Sequence, residues 1–138
     1  MAKLYEKVEA ELENIEQIIA ELKQTKNLAE LSTIELAGIG AFIHNFYNGI
    51  ENILKQILIS KCGQLPDGAS WHSELLKVAA KKGIISIQTA KKLKDYLAFR
   101  HFFSHAYSFN LDKDLMAPLV KKTDSVYKSF LKEINKII

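Results

Sequence analysis

The stretch TIELAGIGAFIHNFYNGIENILKQILISK, residues 33–61, decides the fold. Ile39, Phe42, Ile43, Phe46, Ile50, Ile53, Leu54, Ile57 and Leu58 recur at helical spacing and cover a wide face. Only Glu35, Glu51, Lys55 and Lys61 are charged over about eight turns. A helix that apolar needs neighbours on several sides, so it should be central. Ser32-Thr33-Ile34-Glu35 has the form of a capping box and sets its start. Gly38, Gly40 and Gly49 lower its intrinsic propensity and are expected to admit the close approach of another helix.

Towards the N-terminus, Leu4, Val8, Leu12, Ile15, Ile19 and Leu22 form one apolar stripe on a helix over 2–24. Glutamates fill its other face. Packing onto the rest of the chain is the expected use of the stripe; a coiled coil would use the same residues. Residues 25–31 read as a short polar connection. Towards the C-terminus, residues 63–69 form a loop around Pro66-Asp67-Gly68. Ser70 is the expected N-cap of a short helix over 71–82, which Gly83 ends. Ile84 and Ile85 are a buried connector, and Ser86 caps a helix running from Ile87 past Phe99. Ser108, Asn110 and Asp112 mark a turn. The last helix should place Leu115, Leu119, Val126, Phe130, Ile134 and Ile137 inside, with Lys128, Lys132 and Lys136 outside and a kink or restart at Pro118. No segment alternates as a strand does. The reading is one all-α domain over 1–138: a bundle of about five helices, four long and one short.

No stretch reaches the ~20 apolar residues of a membrane helix. The opening Met-Ala-Lys-Leu-Tyr-Glu is charged and helical in pattern, unlike a signal peptide. Cys62 is the only cysteine, which leaves no internal disulfide and fits a reducing cytoplasm. A buried or half-buried thiol is expected there. Net charge is +3 but unevenly placed. Residues 1–35 hold 4 lysines and 8 glutamates, whereas residues 36–138 hold 15 basic and 8 acidic residues. The later part of the chain therefore suits an anionic partner.

Residues 96–109, Tyr-Leu-Ala-Phe-Arg-His-Phe-Phe-Ser-His-Ala-Tyr-Ser-Phe, concentrate the reactive chemistry. Six of the 13 aromatics lie here, with His101, His105 and Arg100, the only arginine among 19 basic residues. A guanidinium offers a planar fork that matches a phosphate, which an ammonium does not. Phe99, Phe102 and Phe103 read as packing residues. His101 and His105, at i and i+4, could share a metal; a third ligand is needed, for which His44 and His72 are candidates the sequence does not place, and no carboxylate sits close by. His44 and His72 read as surface or capping residues. Phosphate loops, Cys-x-x-Cys pairs, His-Glu-x-x-His helices and Gly-x-Ser-x-Gly elbows are all absent from the sequence.

Arg100 and His105 form the other pairing. On a continuous helix they stand roughly 140° apart. They could meet if the helix ended near Phe103 or Ser104 and the chain turned, or if two copies faced each other across a two-fold axis; the helix is expected to end near His105, with the site built from two copies. Arginine, histidine and a nearby tyrosine suit phosphodiester chemistry on RNA, where the 2′-OH is a built-in nucleophile and no metal is required.

Arg100-His101-Phe102-Phe103-Ser104-His105-Ala106-Tyr107 resembles the Arg-x4-His-x-Tyr motif of the HepT toxins, a branch of the HEPN domain superfamily. The order of helices resembles that family over nearly the whole chain. The resemblance implies a HEPN-type bundle acting as a homodimer, with two motifs facing each other in a basic cleft. It implies the toxin of a type VII HepT/MntA toxin–antitoxin system: a metal-independent endoribonuclease, without cofactor, cutting tRNA or mRNA. Arg100 and His105 would be catalytic. Tyr107 would receive AMP from a cognate MntA-type nucleotidyltransferase antitoxin, and the added bulk and charge would block RNA. His101 and Ser104 are auxiliary candidates, and Asn48 and Glu51 of the long helix could line the cleft. A different class stays open: a non-catalytic HEPN partner subunit of a nucleotidyltransferase that binds nucleotide through Arg100, His105 and Tyr107 without cutting RNA.

Overall fold

The computed structural model describes residues 2–25, 27–68, 70–105, 107 and 110–138. It holds five α-helices: α1 Ala2–Lys23, α2 Thr33–Cys62, α3 Trp71–Lys81, α4 Ile87–His105 and α5 Lys113–Ile134. Among the described residues there is no strand, and no helix is long and apolar enough to cross a membrane. Contacts close a ring from α1 to α2 to α4 to α5 and back to α1, while the short α3 packs on α2 and α4.

α2 is the centre, as its apolar breadth requires. Ile43, Phe46, Ile50, Ile53, Leu54 and Ile57 are fully buried. The capping box forms: Ser32 Oγ accepts from Glu35 N at 3.1 Å, and Glu35 Oε1 accepts from Ser32 N at 2.9 Å. Gly63, at φ 74°, ends the helix in the left-handed conformation that side chains resist. Cys62 is exposed, contrary to the expected buried thiol, because the last turn of α2 runs out of the bundle with Ile59, Ser60 and Lys61.

The α1 stripe is covered within the chain: Val8, Ile15, Ile19 and Leu22 are buried, mainly by α2. The 25–31 connection is less polar than expected. Leu28 is buried in a 3-10 turn, Leu28–Glu30, capped by Asn27. Tyr127 Oη donates to Glu16 at 2.5 Å and ties α5 to α1. Ser70 makes no side-chain cap to α3, whereas Ser86 does cap α4, accepting from Thr89 N at 3.1 Å. Glu133 of α5 reinforces that end, accepting from Ser86 N at 2.6 Å and from Thr89 Oγ1 at 2.7 Å.

α5 runs through Pro118 without a restart. The missing proline N–H falls on an exposed face, and Asp112 caps the helix start. Leu115 is 68% exposed, contrary to its expected inward position; Met116 takes the buried place in that first turn. Ala69, Ala106, Ser108 and Phe109 lie outside the described residues, so the expected turn at Ser108 and the aromatic Phe109 receive no structural account.

The glycines of α2 divide. A Cβ on Gly49 would stand 2.7 Å from Cγ1 of Ile15, and one on Gly40 would stand 2.8 Å from the Phe103 ring. Both admit close packing. Gly38 meets nothing within 4 Å, so the close approach expected there does not occur. Gly38→Ala should therefore stabilise the protein by up to ~1 kcal/mol through helix propensity. Gly49→Ala should destabilise it, since overpacking costs ~1–3 kcal/mol. Urea unfolding midpoints of the two variants measure the opposite signs.

Candidate functional site at the end of α4

α2 carries a polar stripe, His44, Asn48, Glu51 and Lys55, at spacings of four, three and four. On a helix these share a face. The stripe looks toward α3 and the last two turns of α4, where a purely apolar core would be interrupted. Each member meets a partner there. The His44 ring lies against Phe103, tilted by 38°, with centroids 5.3 Å apart. Asn48 Oδ1 accepts from Arg100 Nε at 3.0 Å. Glu51, 2% exposed, receives His72 Nδ1 at 2.9 and 3.1 Å from its two oxygens. Lys55 Nζ lies 4.3 Å from the Trp71 ring centroid.

His44 and His72 are thus both part-buried and engaged, not surface or capping groups as the sequence suggested. A carboxylate accepts only, so Nδ1 of His72 carries the proton it shares with Glu51. Burial, and next the nearby Arg100 charge, hold His44 below the usual imidazole range; Glu51 pulls in the other direction. Burial, with the Glu51 carboxylate beside it, pushes the Tyr47 hydroxyl far above the usual phenol range.

The Arg100 side chain is half-buried and reaches α2. Its Nε is committed to Asn48, which fixes the plane of the guanidinium and leaves the two terminal NH2 groups as the anion fork. His105 is the last residue of α4 and is exposed. Its Nδ1 lies 2.8 Å from the His101 carbonyl oxygen. A carbonyl only accepts, so Nδ1 must carry hydrogen, and in the neutral ring Nε2 holds the free lone pair. The His101 carbonyl, already the helical acceptor of the His105 backbone N–H, takes this second contact, which orients the ring. Ser104 Oγ donates to the Arg100 carbonyl at 2.8 Å, a local helix contact.

The helix remains regular through His105. The expected route in which the chain turns at Phe103 or Ser104 is therefore closed, and one copy holds Arg100 toward α2 and His105 toward solvent. Tyr107 follows, 71% exposed, with its carbonyl accepting from Asn110 N at 2.9 Å. The His101 and His105 rings lie 4.7 Å apart. Among the described residues no group of three metal-binding side chains forms. Phe99 is buried and stacks on Phe103 at 5.7 Å, but Phe102 is 40% exposed and is only partly a packing residue.

His44 and the Glu51–His72 pair are what the motif missed. Their signal was present as polar residues on one face of the most buried helix, where most such groups are paired; Glu51 and His72 are, while His44 Nδ1 has no hydrogen bond. Because the folded state holds His44 below its ordinary value, the unfolded chain takes up that proton first as pH falls. Stability should therefore drop as pH falls below the ordinary imidazole value. His44→Gln should blunt that drop, measured as the difference between urea midpoints at neutral and mildly acidic pH.

Three comparisons bear on the chain. A family model described as HepT-like protein matches residues 38–138. No curated protein matches. A solved structure described as the cytosolic protein of unknown function YutE from Bacillus subtilis aligns with a TM-score of 0.78 at 18% identity. The alignment covers 96% of this chain and 88% of that one, which shows a shared fold.

Proposed function

The chain belongs to the HepT-like protein family, and on that premise we propose that it is a HEPN-type toxin that cuts RNA as a homodimer. The observation that carries the reading is the preparation of two side chains at one helix end. Arg100 has its Nε tied to Asn48 and its fork left for a phosphate. His105 has Nδ1 tied to a carbonyl, with Nε2 facing solvent as a base.

In the proposed reaction, Nε2 of His105 removes the proton of an RNA 2′-OH. The 2′ oxygen attacks the adjacent phosphorus while the bond to the 5′ oxygen breaks. The second copy of His105, protonated, gives its proton to that leaving oxygen. The products are a 2′,3′-cyclic phosphate and a 5′-hydroxyl. Arg100 stabilises the charge that builds on the phosphorane oxygens. Two copies are needed because Arg100 and His105 point to different sides of one α4; a two-fold axis brings one copy's pair against the other's. No metal enters, and cleavage of tRNA or mRNA would continue in EDTA.

Tyr107 is the proposed site of control. Its exposure leaves it open to a nucleotidyltransferase antitoxin of the MntA type, partner in a type VII system. AMP on this tyrosine, two residues from His105, places negative charge where RNA phosphate would lie.

Expression in a bacterium lacking the neighbouring antitoxin tests the proposal. Wild type should arrest growth and fragment RNA. Arg100→Ala should lower the cleavage rate about 10²–10³-fold and His105→Ala about 10²–10⁴-fold. Intact RNA with wild type induced would refute the nuclease. Tyr107→Phe should stay toxic when the antitoxin is co-expressed; neutralisation of that variant would refute control through Tyr107.

A further inference from the structure

A second concave surface adjoins Arg100 through Asn48. It is a groove of about 480 Å³ between α1 and α2, within the size range of small-ligand sites. Its walls carry an unusual density of amides: Asn14 and Gln17 from α1, and Asn45, Asn48 and Asn52 from α2. Phe42, half-buried, supplies an aromatic wall. Glu11 and Glu21 complete the polar lining, and no lysine or arginine contributes.

That composition rejects phosphate and favours a neutral, planar, hydrogen-bonding group. Amides both donate and accept, as base edges do. Asn and Gln pair with adenine, and a carboxylate accepts from an exocyclic amino group. Splayed RNA bases are held by stacking on an aromatic ring and by such edge contacts. Asn48 belongs to both places: its Oδ1 accepts from Arg100 Nε, and the residue also lines the groove. Asn52 Nδ2 donates to Glu11 Oε1 at 3.3 Å, which orients that carboxylate from below. A phosphate on the Arg100 fork would therefore place its own nucleoside beside the amides.

We infer that the α1/α2 groove is the nucleobase subsite, taking an amino-bearing base of single-stranded RNA in preference to uracil. The inference rests on the nuclease reading above for the identity of its ligand. Uracil has no exocyclic amino group: its single edge donor, N3–H, is flanked by two carbonyl acceptors that Glu11 and Glu21 would repel. Adenine, cytosine and guanine each bring an exocyclic amino group.

Titration of the full chain with adenosine 3′-monophosphate, uridine 3′-monophosphate and inorganic phosphate, followed by side-chain amide NMR and calorimetry, tests the subsite. The adenosine nucleotide should bind about tenfold more tightly than the uridine one, the discrimination a good edge contact provides, and should shift the Asn45 amide. Inorganic phosphate should leave that amide in place. Asn14→Ala and Asn45→Ala alter exposed residues and should keep the wild-type urea midpoint while losing the discrimination. Equal affinity for both nucleotides, absence of binding, or discrimination unchanged in both variants would overturn the inference. The two proposals fail separately. Discrimination between nucleotides without any RNA cleavage sinks the nuclease and keeps the groove. RNA cleavage with no base preference at the cut sinks the groove and keeps the nuclease.

Discussion

The structure depends on one constraint: α2 is enclosed along most of its length, so the polar groups on its inner faces are met from within the bundle, although His44 Nδ1 and Gln56 Oε1 find no hydrogen bond. Thirty residues of helix lie among four other helices. Burying an unmatched polar side chain costs roughly 1–3 kcal/mol, and an unmatched charge more. The polar stripe on α2 therefore dictates what α3 and α4 present. His72 answers Glu51, Arg100 answers Asn48, and Phe103 covers His44. The close packing that brings α4 to this face relies on Gly40, where Phe103 and Leu111 occupy the space a Cβ would take.

The candidate site is a consequence of that matching. Arg100 is oriented by Asn48, a half-buried residue of α2, not by its own helix, which fixes the plane of the guanidinium. His105 is oriented by the opposite device, a contact of its ring with the His101 carbonyl one turn back on its own helix. One group is fixed by tertiary packing and the other by local backbone chemistry. They arrive on different sides of α4, a separation that the helical repeat imposes and no local bend relieves.

Arg100, His105 and Tyr107 were legible as a motif because they lie within eight residues and because arginine is unique in this chain. The fold was legible for a similar reason. Long apolar stripes, a capping box and a glycine stop are local signals, and Ser32, Glu35 and Gly83 act where their chemistry says they should. His44, His72 and Glu51 were not legible as a set. They come from two helices, and their pairing depends on which faces of α2 and α3 turn inward. Leu115 and Gly38 failed for the same reason: helical spacing says which residues share a face, not whether a neighbour covers that turn.

By itself, the sequence determined the number and extent of the helices, the centrality of α2 and the chemical identity of the motif. These follow from periodicity, capping and residue type, which act over a few residues. Only the tertiary structure decided that Asn48 holds Arg100, that Glu51 is buried against His72, and that α1 and α2 enclose an amide-lined groove. Those outcomes depend on how helices far apart in sequence rotate against one another. That rotation is set by packing across the whole bundle and by the pairing of Glu51 with His72 and of Asn48 with Arg100.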